Sequence, residues 1–209
     1  MKWSASSKEF ENFLKFERNL SKNTISGYLS DLKKLIDYLV KAKLNIKPSE
    51  ITTEIIRVFI YSESKKIKSS TQGRLISSLN LFFDYLILEE IINENPVEKI
   101  DYPKIGSKIP TTLTTAEIDL LIYNARLNKN NGLRNETIIE VLYSCGLRVS
   151  ELIEIKVSDL YIDEQLLKVL GKGNKERFVP ISKIAKKLIL NYIESTRNHN
   201  KVERGYEDT

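Results

Sequence analysis

Through the first hundred residues apolar side chains recur every three or four positions, the spacing that lays a stripe along one face of a helix. Phe10, Phe13 and Leu14 mark a first helix. Ile25, Leu29, Leu32, Leu35, Ile36, Leu39 and Val40 draw a longer stripe for a second, with Ser21 or Asn23 suited to cap its start and Pro48-Ser49 punctuating its exit. Ile55, Ile56, Phe59 and Ile60 predict a third. A fourth carries Leu75, Ile76, Leu79, Phe82, Phe83, Leu86 and Ile87, and Ser69-Ser-Thr-Gln72 ahead of it has the form of a capping box.

After Asn93 the period stops. Residues 95–110 hold three prolines and a glycine, which predicts a linker. Helical spacing resumes behind a second capping-box pattern, Thr114-Thr-Ala-Glu117, with Ile118, Leu121 and Ile122 on one face and Ile138, Ile139, Leu142 and Tyr143 continuing it. Leu166 to Leu170 and Phe178 to Pro180 flank Gly171-Lys-Gly-Asn-Lys-Glu176, which reads as two strands joined by a glycine-rich turn. Ile184, Leu188, Ile189, Tyr192 and Ile193 predict a last helix. The expected fold is mainly α with a small β-hairpin or sheet: a helical domain over 1–103, a linker over 104–110 and an α+β domain over 111–209.

Composition narrows the chemistry. One cysteine, Cys145, and one histidine, His199, supply neither an internal disulfide nor a Cys/His zinc set, so no metal or cofactor is expected. No apolar run is long enough to span a bilayer and the first residues lack a signal-peptide pattern, which predicts a cytoplasmic protein without membrane contact. The net charge of +5 is uneven: residues 1–110 carry 18 basic and 14 acidic side chains, residues 111–209 carry 15 and 14. A basic excess attracts phosphates through counterion release, and it also occurs in proteins that never meet nucleic acid.

Two local sequences are not explained by folding needs. In Cys145-Gly-Leu-Arg-Val-Ser-Glu-Leu152 an arginine follows an apolar residue at a helix junction marked by Gly146. Arg148 can clamp a phosphate through its planar fork, or it can be a surface arginine paired to Glu151 or Glu154. In Gly171-Lys-Gly-Asn-Lys-Glu-Arg177 three cations ride on a turn. Lys172 can give a proton to a leaving oxygen, contact a phosphate, or be one of a solvated turn's lysines.

In order, these segments resemble the tyrosine recombinases of the chromosome-dimer-resolving and phage-integrase class, over essentially the whole chain. Leu20-Ser-Lys-Asn-Thr24 with Tyr28 and Leu32, and Arg74-Leu-Ile-Ser-Ser-Leu79 with Phe82-Phe-Asp-Tyr85, are similar to that family's four-helix core-binding domain. Leu113-Thr-Thr-Ala-Glu117 resembles the entry to its catalytic domain, Gly146-Leu-Arg-Val-Ser-Glu-Leu152 the segment of its first catalytic arginine, and the hairpin that of its catalytic lysine, 24 positions on. The resemblance implies site-specific DNA breaking and rejoining through a phosphotyrosine. Arg148 would stabilise the scissile phosphate, Lys172 would protonate the leaving 5′ oxygen and Glu151 would support Arg148. Ser21, Asn23, Thr24, Arg74, Lys175 and Arg177 would contact duplex DNA. It also implies a nucleoid-associated protein working as a homo- or hetero-tetramer on DNA.

The family pattern continues to a histidine-x-x-arginine, a later histidine or tryptophan, and the nucleophilic tyrosine. His199 is followed by Asn200, Lys201 and Val202 and does not fit that motif. Tyr192 falls on an apolar helix face and Tyr206 in a charged tail, neither in a nucleophile's setting. The expectation is a carboxy-terminally truncated recombinase that binds DNA without the attacking group. The alternatives are a fragment or regulator that occupies recombination sites without cutting, and a general helical DNA-binding protein.

Overall fold

The computed structural model describes residues 2–104, 106, 110–171, 173, 175–197 and 208. Two compact units divide the chain, Met1–Ile109 and Pro110–Thr209. No helix among the described residues is long and apolar enough to cross a membrane.

The first unit holds four helices, α1 (Trp3–Asn12), α2 (Lys22–Lys41), α3 (Thr53–Ser64) and α4 (Ser69–Leu88), and α1 runs on into a π-helical turn, Phe13–Glu17. The predicted stripes turn inward as the period requires, except at Val40, which ends the α2 stripe in solvent. Phe10, Leu35, Ile56, Phe59, Leu75, Phe82 and Phe83 are fully buried in one core. Its aromatic centre is tightly ordered, with the Phe10 and Phe82 rings edge to face at 5.2 Å and Trp3 stacked on Phe82 at 6.0 Å. The Trp3 indole N–H is satisfied by the Ile46 carbonyl at 2.9 Å, which closes the α2–α3 connection over α1.

The helix starts obey local chemistry with one correction. Ser21 caps α2, its Oγ accepting from the Thr24 amide at 3.2 Å, and Thr52 caps α3. The capping box expected at Ser69-Ser-Thr-Gln72 does not form. Lys68 occupies the cap position with no side-chain bond, and Ser69 is already the first helical residue, so its hydroxyl lies a residue too late to reach the orphan amides. A second correction concerns the proline-bearing stretch. Asn95, Pro96, Val97 and Ile100 are buried, Val97 and Ile100 as part of the first core. Asn95 is the reason: its amide donates to Asn80 and, at 2.6 Å, to Asp84 of α4, while its carbonyl oxygen accepts from the Val97 amide.

The second unit opens with α5 (Thr115–Arg126), whose predicted capping box is present: Glu117 accepts from the Thr114 amide at 2.8 Å and the Thr114 hydroxyl accepts from the Glu117 amide. Then follow α6 (Gly132–Cys145), a short α7 (Val149–Ile153), an antiparallel sheet in the order β1 (Leu160–Tyr161), β2 (Leu166–Leu170), β3 (Glu176–Pro180), and α8 (Lys183–Tyr192). The sequence predicts two strands; the third, β1, is a two-residue pairing with Leu166 and Leu167 that is too short to leave a period. On β2 Leu167 and Val169 alternate into a core shared with Val141, Cys145, Ile181, Ala185 and Ile189. That core is smaller than the first, with 8 buried residues against 20 among the described residues. α5 buries none of its own side chains, and Leu120, Leu121 and Tyr123 stay open to solvent.

Candidate functional site

The turn from α6 into α7 is set by Gly146, whose φ of +61° is the left-handed conformation that ends a helix and that other residues adopt only with strain. Ahead of it Cys145 is buried, and burial raises its thiol pKa. Beyond it the chain puts Leu147 into the core and Arg148 outward, at the start of α7.

Glu151, one turn along, folds back under Arg148. Its Oε2 accepts from the Arg148 amide at 2.9 Å and its Oε1 from the Arg148 guanidinium at 2.8 Å. The same carboxylate takes both Nη atoms of Arg177 from β3, each at 2.9 Å, a fork-to-fork pair. Two arginines from distant parts of the sequence therefore share one acid. The Glu151 side chain is only 4 % exposed, against 71 % for Arg148 and 40 % for Arg177. The Arg177 hydrogen bonds, then those from Arg148, hold the Glu151 carboxyl down to about 2, and the same contact raises the Arg177 pKa.

The hairpin is thus fastened beside Arg148. At its base the Gly171 amide donates to the Lys175 carbonyl at 2.8 Å, and a Cβ on Gly171 would stand 3.0 Å from Arg177 Nη1, in the way of the ion pair. Gly173 at the tip has φ +75°. Lys172, the candidate proton donor, lies outside the described residues, as do His199 and Tyr206. Lys175 is exposed on the turn. Of the two pairings open to Arg148 in the sequence, the partner is Glu151 and not Glu154. The pairing uses one guanidinium N–H, and the others meet no protein acceptor among the described residues.

In the first unit Ser21, Asn23 and Thr24 gather at the start of α2, where the Ser21 and Thr24 hydroxyls bond each other at 2.9 Å and Asn23 is exposed. Arg74 of α4 bonds Asp31 through two nitrogens and the Gly27 carbonyl through one. Ser78, one turn on, also donates to Asp31. Arg74 therefore clamps two helices as well as offering its 45 % exposed side chain outward. The sequence reading misses Asp31, fully buried with Arg74, Lys34 and Ser78 as partners; the available signal was an acid in step with the apolar stripe of Leu32 and Leu35.

No cluster of His, Cys, Asp and Glu suited to a metal occurs among the described residues. Tyr85, buried in the first core, has its hydroxyl pKa pushed up to about 12, first by burial and then by Glu89, away from easy ionisation.

Residues 111–206 match the phage integrase family, and residues 8–90 match the phage integrase N-terminal SAM-like domain. The chain is 37 % identical over 191 residues to the tyrosine recombinase XerD of Oceanobacillus iheyensis, covering 91 % of this chain and 64 % of that protein. It is 37 % identical over 190 residues to the tyrosine recombinase XerC of Leptospira interrogans, covering 90 % of this chain and 61 % of the relative. The chain thus spans under two thirds of the length of these relatives. Among solved structures, a lambda integrase dimer bound to a COC′ core site superposes with a TM-score of 0.66 at 25 % identity, over 86 % of this chain and 62 % of that one. With both units matched and the two relatives agreeing over nine tenths of its length, the chain belongs to the phage integrase family of tyrosine recombinases.

Proposed function

We propose that this chain binds duplex DNA at recombination sites and presents the phosphate-stabilising part of a site-specific recombinase. The observation that supports this best is the shared carboxylate of Glu151. It holds an exposed Arg148 beside the anchored base of the lysine hairpin without exhausting the arginine's donors.

In this reading the free N–H groups of Arg148 bind the non-bridging oxygens of the scissile phosphate and offset the charge that grows there as the phosphorus becomes five-coordinate. Lys172 gives a proton to the 5′ oxygen as its bond to phosphorus breaks, while the new bond to a tyrosine oxygen forms on the 3′ side. Arg177 is chiefly a fastener. Ser21, Asn23, Thr24, Arg74 and Lys175 meet the backbone of the duplex, and the working assembly is a homo- or hetero-tetramer on DNA. The 209 residues contain no histidine-x-x-arginine. Without a positioned nucleophile Arg148 and Lys172 have no attack to assist.

The expected outcome is therefore binding without covalent capture. Fluorescence anisotropy with duplex DNA should show affinity falling steeply along a salt series, since phosphate contacts dominate. A nicked suicide duplex, which cannot religate, should give no shifted band on a denaturing gel. A flat salt response would remove DNA as the partner, and a covalent band would show that a tyrosine within these 209 residues attacks.

A further inference from the structure

Charge in the second unit is segregated. Residues 111–209 carry 15 basic and 14 acidic side chains, close to neutral. Five of those cations, Arg126, Lys129, Arg134, Lys183 and Lys187, line a single cleft of about 990 Å³ between the α5–α6 connection and α8, against one acid, Glu136. The rest of the unit is left with 10 basic against 13 acidic side chains, a net negative balance.

Pairing differs in degree. Outside the cleft Arg148 and Arg177 are tied to Glu151 and Lys168 lies between Asp159 and Glu176, while Lys156, Lys175 and Lys186 form no ion pair among the described residues. In the cleft only Arg126 has an acid, Glu136 at 3.7 Å; Lys129, Arg134, Lys183 and Lys187 form no ion pair among the described residues. Such an arrangement carries a standing electrostatic cost unless an anion occupies it. Local geometry fixes it in place. Gly132 lets the start of α6 abut the end of α5, for a Cβ there would stand 2.2 Å from the Arg126 carbonyl oxygen. Lys183 and Lys187, one turn apart on α8, form the opposite wall.

The cleft lies at the start of α6 and Arg148 follows its end, so the 14-residue helix separates the two by roughly 20 Å. We propose that the cleft is a second phosphate-backbone site, holding a stretch of duplex remote from the phosphate at Arg148. This rests on the reading of the chain as a duplex-DNA binder and adds a place on the surface that the motif residues do not mark. Its volume of about 990 Å³ with five lining cations suits a run of backbone phosphates rather than one small anion, and its four unpaired cations suit a ligand that supplies only acceptors.

The test is the paired variant Lys183→Gln with Lys187→Gln in the 209-residue chain, read by anisotropy with a duplex several turns long. Both side chains lie outside the core, so the melting curve should be unchanged. Affinity should fall about tenfold or more at low salt, and the slope of log affinity against log salt should shrink by about two, near 0.9 for each phosphate that is no longer neutralised. A control pair, Lys99→Gln with Lys156→Gln, removes the same charge from exposed positions outside the cleft and should do much less. If the unaltered chain binds no duplex, the proposed function itself falls and this site with it. If the unaltered chain binds and the cleft variant keeps its affinity and slope, or loses no more than the control pair, the cleft inference alone is overturned. A poly-glutamate peptide that binds the unaltered chain as tightly as duplex does, and is released by the cleft variant, would assign the cleft to acidic protein and overturn it as well.

Discussion

Glu151 shows how one side chain can serve two distant partners. A buried carboxylate is costly unless its oxygens are filled, and here two guanidinium groups and a backbone amide fill them. The pairing has a pH signature whose sign is fixed by the downward shift. In the folded chain the group titrates near 2, below its ordinary 4.5. Its contribution is therefore whole above about pH 4.5 and is lost as pH falls from there through 2. Glu151→Gln should lower the melting temperature of the second unit at neutral pH, and the gap from the unaltered protein should close on acidification across that window. A gap that persisted at pH 2 would mean that the carboxylate's charge is not what fastens the hairpin. Much of this was hidden in the sequence. Arg148 stood out because an arginine directly after a glycine and a leucine at a helix junction is unusual, and Glu151 was legible as its neighbour one turn on. The second partner, Arg177, could not be read, because a 26-residue separation is bridged only by the tertiary fold.

At the scale of elements, helices were legible wherever a period of three to four apolar residues persisted, and most starts followed from Ser, Thr and a later Glu. Reading failed where one residue decided the outcome. The Ser69 cap slipped by a position, and Asn95, a turn-former by composition, instead stitches the following residues to α4. Gly132 carries no signal of its own in the sequence, yet it sits against backbone that cannot move aside as a side-chain tip would. Gly132→Ala should force α5 and α6 apart and destabilise the second unit by about 1–3 kcal/mol, the usual range for overfilling a close contact. Urea unfolding followed by peptide-resolved hydrogen exchange over the second unit, with Trp3 fluorescence reporting on the first, would separate the two effects. The first unit should be unchanged.

For the molecule as a whole, the two units are unequally built. Among the described residues a core of 20 buried side chains stands against one of 8, and α5 adds none to the smaller. The sequence predicts helices over both halves but not this imbalance, since an apolar stripe such as that of α5 reads the same whether or not anything covers it. Calorimetry should resolve two transitions, the second unit melting first, and a dye that fluoresces on apolar surface should bind the chain before the first unit unfolds. Point changes in the second core, such as Val169→Ala, should move only the earlier transition. One cooperative transition would show that the units stabilise each other.

The buried thiol that closes α6 has a practical consequence. Cys145 is the single cysteine in the sequence, screened from solvent and shifted toward its protonated form, so maleimide and iodoacetamide reagents should modify it slowly in the folded protein. A cysteine introduced at an exposed site such as Lys43 or Lys156 can then carry a fluorophore almost alone on the otherwise native sequence. A single such label on either unit would report the unfolding of that unit alone.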